Sequence, residues 1–216
     1  EYGKVLGALL RRLGRARFEL PEDAVQEAML AAVRTWPLRG MPENPGAWLM
    51  AAARNAAIDA LRHEKPEEAL PEDPAAPAPA ADDGLPADEL RLMFLCCHPL
   101  LAREDQVALT LQAAGGFGAA EIARAFFMEE PAVAQRLVRA KRKLRDAGAA
   151  FEMPGPADLT ARLDAVLDAL YLAFNEGYTV RDGDLLLRTD VAEEAVRLAT
   201  LLADHPACDI PRPHAL

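Results

Sequence analysis

Residues 129–145, Glu129-Glu130-Pro131-Ala132-Val133-Ala134-Gln135-Arg136-Leu137-Val138-Arg139-Ala140-Lys141-Arg142-Lys143-Leu144-Arg145, decide how the chain is read. At 100° per residue Val133, Leu137, Ala140 and Leu144 fall on one stripe. Gln135, Arg139 and Arg142 lie opposite, with Arg136 and Lys143 on the flank. Pro131 in the first turn and the two glutamates before it make a strong helix start. An N–H is not missed at that position, and carboxylates suit the positive end of the dipole. Six of the ten residues from Arg136 to Arg145 are basic and none is acidic.

Upstream, Gly116-Phe117-Gly118 precedes Ala119-Ala120-Glu121-Ile122-Ala123, a short amphipathic segment that runs to Phe127. A short helix followed by a basic one is the helix-turn-helix pattern, in which the second helix enters the major groove. Glutamine pairs bidentately with adenine and arginine with guanine. Gln135, Arg136 and Arg139 are therefore the base readers to expect, and Lys141, Arg142 and Arg145 the phosphate anchors. A merely solvated charged face is the competing reading of this helix alone.

Around this segment the composition predicts an all-α protein. Half of the 216 residues are hydrophobic, few are aromatic, and alanine and leucine dominate. The net charge of −10 argues against a uniformly basic coat for nucleic acid, so the sign has to be followed segment by segment. Between Glu64 and Glu89 nine acidic residues face the single Lys65, and Glu152–Leu216 holds twelve acidic and five basic residues.

The boundaries expected from these shifts are a first domain over 1–65, a Pro/Ala/acidic linker over 66–87, a second domain over 88–150, and the start of a helical extension over 151–216. The linker composition, as in Pro74-Ala75-Ala76-Pro77-Ala78-Pro79, cannot bury a core. In the first domain a helix is expected to stop at Trp36 before Pro37. A loop over Arg39–Gly46 follows, and then a second helix with Trp48, Leu49, Ala52, Ile58 and Leu61 on its apolar side and Arg54, Asn55, Asp59 and Arg62 polar. In the second, Leu90–Leu101 and Asp105–Ala113 read as helices.

The extension shows stripes at Leu163, Leu167, Leu170 and Phe174 and, after an expected capping box at Asp190, at Val191, Ala195, Leu198 and Leu202. Two such helices alone are not expected to hide both stripes, so they read as the first hairpin of a repeat array.

Glu22-Asp23-Ala24-Val25-Gln26-Glu27-Ala28 resembles the second conserved region of bacterial sigma factors. Ala47-Trp48-Leu49, Ala53-Arg54-Asn55 and Ile58-Asp59 to Arg62 are similar to the segment after it. Glu121-Ile122-Ala123 with Val133 to Ala140 resembles the fourth region. Order and spacing together are similar to the extracytoplasmic-function type.

Leu92-Met93-Phe94, Cys96-Cys97-His98-Pro99 and Phe174-Asn175-Glu176-Gly177-Tyr178 resemble a subgroup with a C-terminal tetratricopeptide-like extension. The resemblance implies a promoter-recognition subunit without enzymatic activity or cofactor, located in the cytoplasm. Its partners would be core RNA polymerase and promoter DNA, with a regulatory partner for the extension.

By the same resemblance Asp23, Gln26 and Glu27 would dock on the polymerase clamp. Arg39, Asn44, Arg54, Asn55 and Arg62 would capture the −10 element, and Gln135, Arg136, Arg139, Lys141, Arg142 and Arg145 would bind the −35 element. The bland alternatives are that Trp48 belongs to the core and that Asn55 bonds locally. Alternatively, the chain is a helical interaction scaffold with an accessory DNA anchor.

No nucleophile elbow, phosphate loop or paired His motif supports a hydrolase or metalloenzyme. Cys96-Cys97-His98 carries thiolate and imidazole, yet adjacent cysteines on a helix do not both reach one tetrahedral ion, which favours core packing over a metal. No apolar run reaches the roughly 20 residues of a membrane span. The acidic surroundings lead us to expect weak DNA binding by the free chain, with 152–216 folding back on the basic helix or competing for it.

Overall fold

The computed structural model describes residues 1–13, 18–64, 85–178 and 189–208, and among them every regular element is helical. The Pro/Ala/acidic stretch expected to act as a linker lies outside the described residues, apart from Leu85–Ala87 at its end. Helix α1 (Tyr2–Leu13), α2 (Glu19–Arg39) and α3 (Pro45–Glu64) form the N-terminal group. Four helices follow: α4 (Leu85–Cys96), α5 (Arg103–Ala113), α6 (Ala119–Phe126) and α7 (Glu130–Asp146). An antiparallel pair, α8 (Pro156–Tyr178) and α9 (Thr189–Ala203), closes the described chain with a single 3-10 turn, Pro206–Cys208.

Helix α2 does not stop at Trp36. It runs through Pro37 to Arg39 and ends at Gly40, whose φ of 84° turns the chain while its N–H returns to the Trp36 carbonyl at 2.9 Å. Pro37 cannot donate to the Val33 carbonyl, but both residues lie on the solvent side, where water can take that oxygen. Asn44 then starts α3, its Oδ1 accepting the Ala47 N–H at 3.0 Å. On α3 the buried positions are Leu49, Ala53 and Ala57, packed against Ala24, Val25, Ala28 and Ala32 of α2. Trp48 is half-buried, edge-on to Trp36 with ring centroids 5.5 Å apart.

Helix α4 ends at Cys96, earlier than its apolar run, because Pro99 forces a turn over His98–Leu101. Gln106 on α5 donates to the His98 and Leu101 carbonyls from that side. Cys96 and Cys97 are wholly buried in the core, with Cys97 Sγ 3.5 Å from Thr110 Oγ1. Burial pushes both thiols up, that of Cys97 to about 12. Among the described residues no three metal-ligating side chains converge.

The expectation that α8 and α9 leave an apolar stripe uncovered is overturned. Leu163, Val166, Leu167 and Leu170 of α8 and Val191, Ala195, Leu198 and Leu202 of α9 are all buried. The pair packs on itself and on α4, α5 and α6, so the second layer comes from earlier in the chain and not from further repeats. Arg162 donates to the Phe94 carbonyl, Arg103 meets Asp168 at 3.1 Å, and Arg197 forks onto the wholly buried Glu89 at 2.6 and 3.1 Å. The side chains of Asp190, in the expected capping box, and of Glu176 lie outside the described residues. Among those described, no helix is long and apolar enough to cross a membrane.

Candidate nucleic-acid interface

Helix α7 buries the four side chains its wheel predicts, Val133, Leu137, Ala140 and Leu144. It is held against α6 and α5 by this stripe. The α6–α7 turn is sharp because Phe127 adopts a left-handed conformation, φ 53° and ψ 41°, with the Met128 N–H returning to the Ala123 carbonyl at 2.9 Å. Glu121 accepts the Gly118 N–H at 2.8 Å at the other end of α6, which supplies the carboxylate half of a capping box. The second helix of the pair therefore turns its apolar stripe inward and presents Gln135, Arg139 and Arg142 outward.

The basic side chains of that face divide into two groups. Gln135, Arg139, Arg142 and Lys143 are exposed, and no hydrogen bond or ion pair from them is found among the described residues. Arg136, Lys141 and Arg145 are engaged: Arg136 with Asp105 of α5 at 3.3 Å, Lys141 with Glu22 at 2.6 Å, and Arg145 with Glu19 at 2.5 Å and Asp146 at 3.4 Å. Of the three base readers expected from sequence, Gln135 and Arg139 are unobstructed, and Arg136 is turned toward its own domain. Among the described residues, the acids of other helices that reach α7 come from α2 and α5. Asp168 of α8 pairs instead with Arg103, and Arg197 of α9 with Glu89.

Val138 escaped the sequence reading. It sits between Gln135 and Arg142 on the outer face and is 64% exposed, where a β-branched apolar side chain contributes nothing to the core. Its signal was its position on the wheel, 100° from the buried stripe.

In the N-terminal group Asp23, Gln26 and Glu27 are exposed along α2, and Gln26 hydrogen-bonds Tyr2. Arg39 ends α2 and Asn44 caps α3, so both border the 40–44 connection. Arg54, Asn55 and Arg62 follow along α3. Asn55 and Arg62 are exposed, Arg54 is half-buried, and Arg62 meets Asp59 at 3.4 Å. These five lie on the α2–α3 hairpin and are not gathered with the α7 set. The structure therefore holds two separate polar surfaces, one on each helical group.

Comparison with known proteins bears on both surfaces. The family model described as Sigma-70 region 2 matches residues 1–67, and Sigma-70 region 4 matches residues 91–144. RNA polymerase sigma factor CarQ of Myxococcus xanthus is 37% identical over 134 residues, which cover 59% of this chain and 74% of that protein. The chain belongs to the sigma-70 family of sigma factors. Within that family α1–α3 lie in the region 2 match and α7 closes the region 4 match. The basic helix picked out by its wheel is thus the last helix of the region 4 match.

A family of unknown function, DUF6596, matches residues 162–216, and so takes in most of α8 and all of α9. The uncharacterized protein R00370 of Rhizobium meliloti (strain 1021) is 39% identical over 209 residues, 92% of this chain. The chain spans about half the length of that relative, 49%. No solved structure matches.

Proposed function

We propose that the chain directs core RNA polymerase to specific promoters as a non-catalytic, cytoplasmic initiation subunit of the extracytoplasmic-function type, in a subgroup marked by a helical C-terminal extension. The domains are 1–65, 88–150 and the extension from 151, with 66–87 between the first two. The carrying observation is α7 itself, which follows a tight turn, is anchored by a buried stripe and offers Gln135, Arg139 and Arg142 unpaired on its outer face.

In this reading Gln135 and Arg139 read bases of the −35 element. Val138 contacts a thymine methyl between them, and Arg142 anchors phosphate, joined by Lys141 and Arg145 once these are free. Arg136 supports the helix from Asp105 and contacts DNA only at its flank. Asp23, Gln26 and Glu27 dock on the polymerase clamp. Arg39, the Asn44 amide, Arg54, Asn55 and Arg62 follow the strand of the melted −10 element, which needs charge and stacking and no catalytic group.

Run-off transcription with core polymerase on a template pool tests the reading. Initiation at a defined promoter is expected only when the chain is added, and initiation indifferent to it would overturn the reading. Arg139→Ala should lower promoter-dependent initiation about tenfold, the scale of one lost bidentate base contact. Lys143→Ala should mainly make the salt dependence shallower, by about one phosphate. Equal, sequence-blind losses from both would refute the division into readers and anchors.

A further inference from the structure

We infer that Asp105 of α5 is a specificity-determining residue of the DNA-reading surface: it holds the charge of Arg136 within its own domain and so withholds one cation of α7 from phosphate. The inference rests on the reading of α7 just given and deepens it, because it concerns how that helix tells its element from other DNA.

Arg136, Arg139 and Lys143 follow one another at i, i+3 and i+7, and so share one flank of α7. Three cations in a row are what a phosphate backbone attracts, and nothing in the residue types sets the first apart. Its surroundings do. Arg139 and Lys143 are exposed, whereas Arg136 Nη1 lies 3.3 Å from Asp105 Oδ1, with the two side chains 25% and 28% exposed. Arg136 Nε, further back along the side chain, is buried without a hydrogen bond.

Stability is a poor reason for this placement. An ion pair that keeps contact with water contributes little, and an unpaired buried nitrogen is a cost. What the placement achieves is the cancellation of a charge on the DNA side of the domain.

The pair is also built to persist. Asp105 sits in the first turn of α5, where a carboxylate suits the helix dipole, and Val107, Leu109 and Leu111 of that helix are buried. Gln106 ties the same turn to the His98 and Leu101 carbonyls. Helix α7 is fixed in turn by its own buried stripe. Both residues lie within the region 4 match, so the pair travels with that domain wherever it docks.

Sequence-blind affinity comes from cations that release counterions at phosphates, and discrimination is the ratio of specific to sequence-blind binding. On random DNA nothing fixes the angle of α7 in the groove, and an unpaired Arg136 would find a phosphate. On the promoter Gln135 and Arg139 fix that angle and leave Arg136 turned toward α5. Its contact at the flank is then made with a charge already spent. Asp105 thus lowers sequence-blind binding and spares the base readers.

The test measures binding of the full 216-residue chain by fluorescence anisotropy between about 50 and 200 mM salt. Two duplexes are compared, one of random sequence and one carrying the promoter recovered by run-off transcription from the template pool. At the low-salt end Asp105→Asn should bind the random duplex about fivefold tighter than the neighbouring charge-matched control Glu104→Gln, with a salt slope steeper by about one phosphate. Its preference for the promoter duplex should fall severalfold. Arg136→Gln should keep the wild-type slope, and the double variant Asp105→Asn with Arg136→Gln should return to it.

The inference is overturned if Asp105→Asn binds the random duplex as the control does, or gains equally on both duplexes. It is overturned as well if Arg136→Gln alone makes the slope shallower by about one, since the arginine would then already be a phosphate anchor. Should Asp105→Asn lose its helical circular dichroism, Asp105→Ser, which also suits a helix start, takes its place. Run-off transcription with the wild-type chain separates the two levels. Promoter-dependent initiation alongside unchanged Asp105→Asn binding sinks the role of Asp105 and keeps the sigma reading, whereas absent initiation sinks the reading beneath it.

Discussion

The Glu22 carboxylate is held where burial disfavours its charge. Burial pushes its carboxyl above the ordinary carboxylate range, outweighing the attraction and hydrogen bond of Lys141, and Asp23 and Glu19 push the same way. Tyr2 from α1 and Cys96 from α4 face it as well, and both are themselves raised, chiefly by burial. A group whose pKa is higher when buried binds its proton more tightly in the folded form. That form therefore gains as pH falls toward the carboxylate range, and loses the gain as pH rises through the raised value. Urea midpoints of the wild type and Glu22→Gln at pH 7.5 and 5 check the sign. The wild type should improve relative to the variant at the lower pH, and a constant or reversed gap would refute it. Arg139 and Lys143 show the other use of charge at this scale: both are exposed one turn apart on α7, and they differ in chemistry, a planar fork that suits a base edge against a compact ammonium that suits a phosphate.

At the scale of elements, the start of α4 is where three parts of the chain meet. Asp88 and Glu89 are adjacent and both wholly buried; Asp88 is bound by Arg11 and Arg91, and Glu89 by Arg197, which also holds Glu194 at 2.6 Å. Carboxylates in a first turn favour the helix dipole, but at this depth they depend on their cations. Arg197→Ala would leave Glu89 charged and unpaired, at a cost of about 3 kcal/mol or more, and thermal unfolding should fall by several degrees. Arg197→Lys should recover part of that and not all, because an ammonium cannot reproduce the fork. An unchanged melting temperature for the alanine variant would show that α9 is not tied to α4 through this pair. The same scale accounts for α2, where proline proved a weaker stop than glycine because its missing hydrogen bond fell on the solvent side.

For the whole molecule, one continuous core links α1–α3, α4–α7 and α8–α9. Cutting the chain after Phe151 would uncover the faces of α4, α5 and α6 that Leu163, Val166, Leu167 and Leu170 now cover. Each such side chain is worth about 1.5–3 kcal/mol of burial. The truncated chain should self-associate and melt lower, and a monomer of unchanged stability by sedimentation and calorimetry would contradict this. Much of the architecture was legible in residue order. The period of 3.6 placed α5, α6 and α7 within a residue or two, and the α7 wheel separated Val133, Leu137, Ala140 and Leu144 from Gln135, Arg139 and Arg142. These are local properties, because a helix's apolar stripe is written in its own sequence. Which basic residues stay available was not legible. Arg139 and Arg145 look alike on paper, and only the approach of α2, whose Glu19 meets Arg145, leaves one open and pairs the other. The cover over α8 and α9 was likewise invisible, since a stripe declares that it must be buried without naming what will bury it. Sequence by itself determined the helices and their chemistry; the tertiary structure decided which of their charges are spent on one another, because ion pairs and close backbone contacts depend on distances between segments far apart in the chain.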